Sequence, residues 1–217
     1  MKIAAVRHAF PPHYYDQAAL SAAFRRAWGR RHYNLDRLEQ LHRNVLVGGR
    51  HLALPLDDYD RLETWGQAND AWIRVGEEVG AEAVRAALEA AGLDAGDVDA
   101  IVFVSVTGIS TPSLDARLVN RLHLPAHVRR VPIFGLGCVA GAAGISRTAD
   151  LLRGSGGRVA VLLSVELCSL TLQKEDLSVP NLIATGLFGD GAAAAVVAAD
   201  DACRCHGPSI VATRSVF

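Results

Sequence analysis

The sequence lacks the features of several large classes of protein. Its 217 residues carry 22 basic and 23 acidic side chains, for a formal net charge of −1. Because the two charges nearly balance, the composition does not indicate a nucleic acid or an anionic membrane as a partner. No apolar run without charges is long enough to cross a bilayer, and Met1 and Lys2 lead directly into a strand-like run rather than a signal peptide. We expect a cytoplasmic protein.

Cysteine is also sparse. Four cysteines at irregular spacing do not make a disulfide framework for a chain of this length. Cys203, Cys205 and His206 are close in sequence, but a structural zinc site needs four ligands and the usual two-residue gap is missing. We therefore expect no metal site. Half of the residues are apolar, which is enough to bury a full core.

Predicted strands and helices alternate through most of the sequence, and alternation of this kind favours an α/β fold with helices layered on a central sheet. We treat residues 1–64 as an N-terminal helical excursion packed on a core formed by residues 65–217. Gly189, Asp190 and Gly191 suit a tight turn before the last strand. The predicted strands are 2–9, 100–106, 131–135, 158–165 and 192–197, and the predicted helices are 16–28, 35–45, 64–92, 114–122 and 138–153.

Three arginines lie on or just after the second predicted helix. Arg37, Arg43 and Arg50 can meet the phosphates of a nucleotide-like ligand. The same spacing is more typical of a charged face in contact with solvent. The residues alone leave both interpretations open.

The clearest candidate for chemistry is Cys138. An apolar run at residues 131–134 is typical of a strand, and Gly135-Leu136-Gly137 is typical of a tight turn. Cys138 follows this turn, at the start of a predicted helix rich in small residues. A thiol at such a junction faces the unpaired N–H groups and the positive dipole end of the helix, which favour thiolate over thiol. Cys138 is therefore a candidate nucleophile. A buried cysteine in an Ala/Gly-rich packing helix is the alternative.

Three motifs together resemble the type III polyketide synthases, the chalcone and stilbene synthase family. They occur in the family's order and spacing, at residues 137–141 (GCVAG), 166–171 (ELCSLT) and 186–193 (GLFGDGAA). Cys168 is more similar to the bacterial branch than to the plant enzymes. The resemblance implies a thiolase-like layered α/β/α unit, of which this chain supplies the N-terminal half.

The resemblance also implies roles for individual residues. Cys138 would carry the acyl group, and Phe188 would be the aromatic gate between the acyl-carrying pocket and the coenzyme A tunnel. Cys168 and Thr171 match positions that line the pocket. Thr111 matches a residue that reaches across a homodimer into the partner's cavity, and we predict a cis bond between Thr111 and Pro112.

The activity implied is that of an acyltransferase. It would load an acyl-CoA starter on cysteine and extend it with malonyl-CoA by decarboxylative condensation, with coenzyme A thioesters as substrates and no cofactor. Sulfur suits this role because it attacks readily near neutral pH and leaves readily when the chain is transferred.

One departure from the family concerns the partners of the thiolate. In the family, a histidine and an asparagine of a C-terminal half drive decarboxylation, and none of the eight histidines here has a matching context. We expect that a separate C-terminal half completes the site, or that the isolated chain is inactive. Two alternatives stay open: a ketoacyl synthase-like enzyme using carrier-protein substrates, and a non-catalytic dimerising fragment.

Overall fold

The computed structural model describes residues 1–28 and 35–216, and within these ranges it describes no side chain for residues 27, 28, 35, 37 and 38. The described helices and strands largely follow the predicted alternation. In chain order they are β1 (Lys2–Ala9), β2 (His13–Asp16), α1 (Gln17–Trp28), α2 (Leu35–Asn44), β3 (Gly49–Leu52), α3 (Trp65–Ala91), β4 (Ala100–Ser105), α4 (Leu114–Arg121), β5 (Arg129–Phe134), α5 (Ala140–Ser155), β6 (Val159–Leu167), α6 (Val179–Leu187) and β7 (Asp190–Ala198).

Five strands form one mixed sheet in the order β1-β7-β6-β4-β5. Strand β4 pairs in parallel with β5 and β6, and β1 pairs antiparallel with β7. Every residue of β4 is buried, as the continuous apolar run predicted. Strand β5 lies at the edge of the sheet, and its residues are exposed or half-buried, so that Phe134 is 66% exposed.

Helices cover both faces of this sheet. A Cβ added to Gly80 of α3 would contact Leu163 of β6, whereas one added to Gly144 of α5 would meet the adjacent Leu162. Because successive side chains of a strand point to opposite faces, α3 and α5 lie on different sides of β6. The expected α/β/α layering is confirmed.

Helix α5 approaches the sheet closely at Gly144. A Cβ at this position would lie 2.6 Å from Cδ1 of Leu162, so no larger residue fits without a shift of either the leucine or the helix. Leu162 belongs to a buried cluster with Val102, Val104 and Ala140. The glycine therefore sets how deeply α5 packs on the strands.

Helix α3 has both predicted ends. The backbone N–H of Gln67 donates to Oγ1 of Thr64, and the backbone N–H of Thr64 donates to Oε1 of Gln67, which is a capping box. Gly92 ends the helix with a φ of 65°. Between these ends, the apolar stripe that includes Val75 and Val79 is buried.

The described residues divide into two compact units, and the division differs from the boundary that we expected at residue 64. The sheet unit contains Met1–Ala9, Ile73–Glu166 and residues 191–216, and the second unit contains Phe10–Trp72 and Leu167–Asp190. Strand β1 belongs to the main sheet because it pairs with β7. Residues 167–190, which we expected in the core, belong to the same unit as residues 10–72.

The second unit contains an antiparallel ribbon of β2 and β3 and the helices α1, α2 and α6. Its apolar cluster is formed by Leu182 of α6 with Phe24, Leu172 and Leu177. Helix α6, which is short and carries a proline in its first turn, was not predicted from the sequence. The predicted turn at residues 189–191 was also wrong, because Asp190 begins β7 and is buried.

None of the helices in the described ranges combines the length and the apolar character that a bilayer crossing requires.

We predict that Arg130→Met lowers the free energy of unfolding by about 2 kcal/mol, because it removes the charged partner of a buried carboxylate. Asp115 is fully buried, its Oδ2 lies 3.2 Å from Nη1 of Arg130, and its Oδ1 has no partner among the described residues. Urea denaturation measures the change. Arg129→Met is the matched control and should change stability by less than about 0.5 kcal/mol. Equal losses for the two variants would contradict the prediction.

Candidate active site

Cys138 lies at the predicted junction between a strand and a helix. Strand β5 ends at Phe134, and the chain turns through Gly135 and Gly137, whose φ angles are 93° and 57°. A 3-10 turn over Gly137–Val139 carries the cysteine, and α5 then begins at Ala140. The helix therefore starts two residues later than expected. The positive φ angles explain why glycine occupies both turn positions.

The Cys138 side chain is exposed and is not disulfide-bonded. Among the described residues, no side chain caps the 3-10 turn or the start of α5. The backbone N–H of Ala140 donates to the carbonyl of Gly137, so the N–H groups that precede it in the turn are the candidates to bind an anionic oxygen. The neighbouring Leu136 and Val139 are 40% and 58% exposed, which gives the thiol an apolar surrounding.

The carboxyl ends of β4, β5 and β6 lie at one edge of the sheet because these strands are parallel. Ser105 pairs with Phe134, and Val104 pairs with Ser164. The cysteine turn leaves the sheet one residue after Phe134, so it begins at this edge. In open α/β sheets, ligands bind beyond the carboxyl ends of the strands.

Glu166 is the acidic side chain at the same edge. It accepts hydrogen bonds from the backbone N–H of Val106 at 3.1 Å, from Oγ1 of Thr107 at 2.8 Å and from Oγ of Ser105 at 3.4 Å. Burial raises the pKa of Glu166, and these hydrogen bonds act in the opposite direction. Glu166 was not predicted from the sequence as a site residue, although a carboxylate near the end of an otherwise apolar strand was the available signal.

The segment after β4 carries Thr111, which is exposed. The bond between Thr111 and Pro112 is cis, which confirms the prediction.

Cys168 and Thr171 belong to the second unit, on a 3-10 turn over Cys168–Thr171. Cys168 is half-buried, and Thr171 is exposed and donates through Oγ1 to the carbonyl of Cys168 at 2.8 Å. Nothing in the structure tests their role as pocket residues, so it stays a prediction.

A buried carboxylate, Asp190, holds this turn. Its Oδ1 accepts the backbone N–H of Ser169 at 2.8 Å, and its Oδ2 accepts the backbone N–H of Ala53 at 2.6 Å and the hydroxyl of Ser169. Burial raises the pKa of Asp190 to about 6, against these hydrogen bonds and the charge of Arg50. The hydroxyl of Tyr59 also bonds Ser169, and burial together with the charge of Asp190 raises its pKa.

The structure places two of the three arginines that we grouped in different surroundings. Arg43 is exposed, with its Nη1 3.9 Å from Oε2 of Glu39, whereas the side chain of Arg37 lies outside the described part of the chain. Arg50 is buried and donates through Nη1 to the carbonyls of Thr185 and Phe188. This buried placement differs from the open one expected of a phosphate ligand. Binding of coenzyme A by Arg37 and Arg43 stays a prediction.

Phe188 follows α6 directly, and its ring is 46% exposed. A large aromatic side chain this exposed is available to a ligand, but nothing in the structure tests its assignment as a gate.

The other two cysteines, Cys203 and Cys205, are bonded to each other in the structure. Within the described ranges, no group of three or more histidine, cysteine, aspartate or glutamate side chains is placed to hold a metal ion.

The sheet, its layered helices and the exposed cysteine at the start of α5 define a thiolase-like fold, the fold shared by the solved structures similar to this chain. The family model described as "Chalcone and stilbene synthases, N-terminal domain" matches residues 1–201, so the chain belongs to this family, the type III polyketide synthases.

Individual relatives agree with this assignment. The chain is 50% identical over 214 residues to 1,3,6,8-tetrahydroxynaphthalene synthase of Streptomyces peucetius subsp. caesius, covering 98% of this chain and 56% of the relative. It is 37% identical to a putative chalcone synthase of Bacillus subtilis, covering 79% of this chain and 48% of that protein. The crystal structure of 1,3,6,8-tetrahydroxynaphthalene synthase from Streptomyces coelicolor, a bacterial type III polyketide synthase, superposes with a TM-score of 0.85 at 33% identity, covering 91% of this chain and 57% of that one. The chain thus spans about half the length of these relatives.

We predict that Gly137→Ala destabilises the chain by about 1 kcal/mol, because alanine is strained at the φ of 57° that this position requires. Gly141→Ala is the matched control: Gly141 lies in the first turn of α5 with open space around it, and alanine there should stabilise by up to about 1 kcal/mol. Urea denaturation compares the two variants. A shift of the same sign for both would refute the role assigned to Gly137.

A second prediction concerns pH. The raised pKa of Asp190 means that the folded state binds its proton more tightly than the unfolded state. This contribution to stability is complete below about pH 4 and is lost as the pH rises to about 6, by up to about 3 kcal/mol. Asp190→Asn cannot ionise, so the difference in unfolding free energy between wild type and variant should change over this interval and be constant above about pH 7.

Arg50 and Tyr59 are the charged and titratable groups that face Asp190 in the second unit. Neither is expected to change its charge in this range, which isolates the carboxylate. Asp60→Asn, at an exposed carboxylate, is the control. An identical pH profile for wild type and Asp190→Asn would show that Asp190 does not titrate in this range.

Proposed function

We propose that the chain acts in polyketide synthesis by accepting an acyl group from a coenzyme A thioester on Cys138. The thiolate attacks the thioester carbonyl, the new carbon–sulfur bond forms, and coenzyme A leaves as a thiolate that takes up a proton. The observation that carries this proposal is the exposed thiol of Cys138 beside the uncapped start of α5. The N–H groups at the start of the 3-10 turn, which no side chain caps, can donate to the oxygen that becomes negative during attack.

Extension of the chain follows from the same thioester. Loss of CO₂ from malonyl-CoA gives an enolate, which attacks the acyl group on Cys138 and releases the cysteine thiolate. The family resemblance assigns the histidine and asparagine of this step to a C-terminal half, so we assign loading to this chain's residues and condensation to the completed protein. Membership of the type III polyketide synthase family supports this division.

The remaining assignments belong to the same proposal. Phe188, Cys168 and Thr171 contact the acyl chain or its coenzyme A carrier, Arg37 and Arg43 bind the phosphates of coenzyme A, and Thr111 reaches the partner in a cytoplasmic homodimer. The 50% identity to 1,3,6,8-tetrahydroxynaphthalene synthase favours an aromatic polyhydroxylated product.

We predict that incubation with acyl-CoA thioesters, including malonyl-CoA, adds the mass of one acyl group to the purified chain in intact-mass spectra. The Cys138→Ala variant should gain no mass because it has no sulfur at the position that is acylated. Ser146→Ala, on the same helix, is the matched control and should be acylated like wild type. Peptide mapping confirms the modified residue.

The alternatives give different results in the same assay. Acylation by carrier-protein thioesters but not by coenzyme A thioesters would favour a ketoacyl synthase-like enzyme. Absence of acylation by any donor would favour a non-catalytic module. Mixing the chain with a polypeptide that contains the family's C-terminal half should give a malonyl-dependent product, and such a product would exclude the module.

A further inference from the structure

The backbone on both sides of Phe188 is held by buried charged groups, although the phenylalanine ring is half-exposed. We propose that Arg50 is a positioning residue that fixes Phe188 for contact with the acyl-CoA substrate. This inference rests on the proposed function, and it assigns Arg50 a different role from the phosphate binding considered from the sequence.

Arg50 binds the C-terminal end of α6. Its Nη1 donates to the carbonyl of Phe188 at 3.0 Å and to the carbonyl of Thr185. The last carbonyls of a helix have no partner within it and carry the negative end of the dipole, so a guanidinium is a suitable cap. The backbone N–H of Phe188 donates to the carbonyl of Ala184 at 3.1 Å, which completes the last turn.

The residues after Phe188 are held from the same strand. A Cβ on Gly189 would lie 3.3 Å from Cβ of Arg50, so the arginine stem passes directly against the backbone there. Asp190 accepts the backbone N–H of Ala53, three residues beyond Arg50, and attracts the guanidinium electrostatically. Positions 188 and 190 are therefore both tied to the segment 50–53.

Burial of Arg50 lowers the stability of the fold. Arg50 is only 6% exposed, and its Nε and Nη2 have no hydrogen-bond partner among the described residues. Burying a guanidinium with unused donors opposes folding, and an apolar residue of similar size would fill the space at lower cost.

A role for Phe188 in binding a ligand explains why the chain keeps a buried arginine at this position. A side chain that contacts a substrate must be held in place before the substrate arrives, or part of the binding energy is lost in ordering it. Arg50 acts through the backbone carbonyl of Phe188 and does not touch the reacting atoms. Its removal should therefore weaken use of acyl-CoA more than it slows transfer to Cys138.

The test compares Arg50→Met with Arg50→Lys, and uses Arg61→Met as a matched control at an exposed arginine of the same unit. Hydrogen–deuterium exchange of peptides covering residues 183–190 reports on the end of α6. Rates of acyl loading against acyl-CoA concentration, measured by intact mass, give the half-saturating concentration and the limiting rate.

We expect Arg50→Met to speed exchange in these peptides about tenfold and to raise the half-saturating concentration about tenfold, with the limiting rate within about twofold of wild type. Arg50→Lys should restore part of both, because an ammonium can still donate to one carbonyl. Peptides of the sheet unit should exchange as in wild type, which shows that the variant is folded. Arg61→Met should match wild type in both measurements.

A double variant separates positioning from direct binding. If Arg50 acts through Phe188, Arg50→Met should add no further rise in the half-saturating concentration to Phe188→Ala. An equal rise in both backgrounds would mean that Arg50 binds the substrate itself, which overturns the inference. Unchanged exchange in Arg50→Met overturns it whether or not loading occurs. Faster exchange in a chain that no acyl-CoA acylates would refute the proposed function and reduce Arg50 to a structural role.

Discussion

The parallel pairing of β4 with β5 and β6 is the constraint on which the candidate active site depends. It brings three chain segments that are distant in sequence to one edge of the sheet, where each strand ends. The turn that carries Cys138 begins at this edge, and the carboxylate of Glu166 lies at the same edge. The register of the strands therefore determines where the cysteine turn and Glu166 lie relative to each other. The buried residues of β4 fix that register, because a slip by one residue would reverse which side chains face each helix layer.

Each unit uses a carboxylate, half-buried at Glu166 and buried at Asp190, to hold irregular backbone near a candidate functional residue. Glu166 accepts hydrogen bonds from the segment that follows β4, and Asp190 ties the turn containing Cys168 to the segment after β3. Loops have no ladder of hydrogen bonds to fix them, and a carboxylate can accept several N–H groups at once. Desolvation opposes both ionised groups, as their raised pKa values show. The hydrogen bonds that each accepts compensate for part of that cost.

Much of the sheet unit could be predicted from the sequence, because its signals are local. The Gly-Leu-Gly sequence before Cys138 indicates a turn by itself, and Thr64 and Gly92 indicate the two ends of α3. The cis bond at Pro112 came from family resemblance rather than from spacing. Helix α6 could not be predicted because a short apolar segment with Pro180 in its first turn has no clear period. Asp190 was interpreted as a turn residue because it is flanked by glycines, while its burial depends on partners more than a hundred residues away. The edge position of β5 follows from strand order, which no local pattern contains.

The close contact between Gly144 and Leu162 has a consequence for how this scaffold can change. Helix α5 follows the cysteine turn directly, and the glycine about one turn into the helix permits it to pack closely on the strands. A methyl group at that point would displace either the side chain of Leu162 or the helix, and in the second case the sulfur would move with the helix. A buried position about one turn from the cysteine can therefore change where the thiol lies, while every residue of the cysteine turn stays the same.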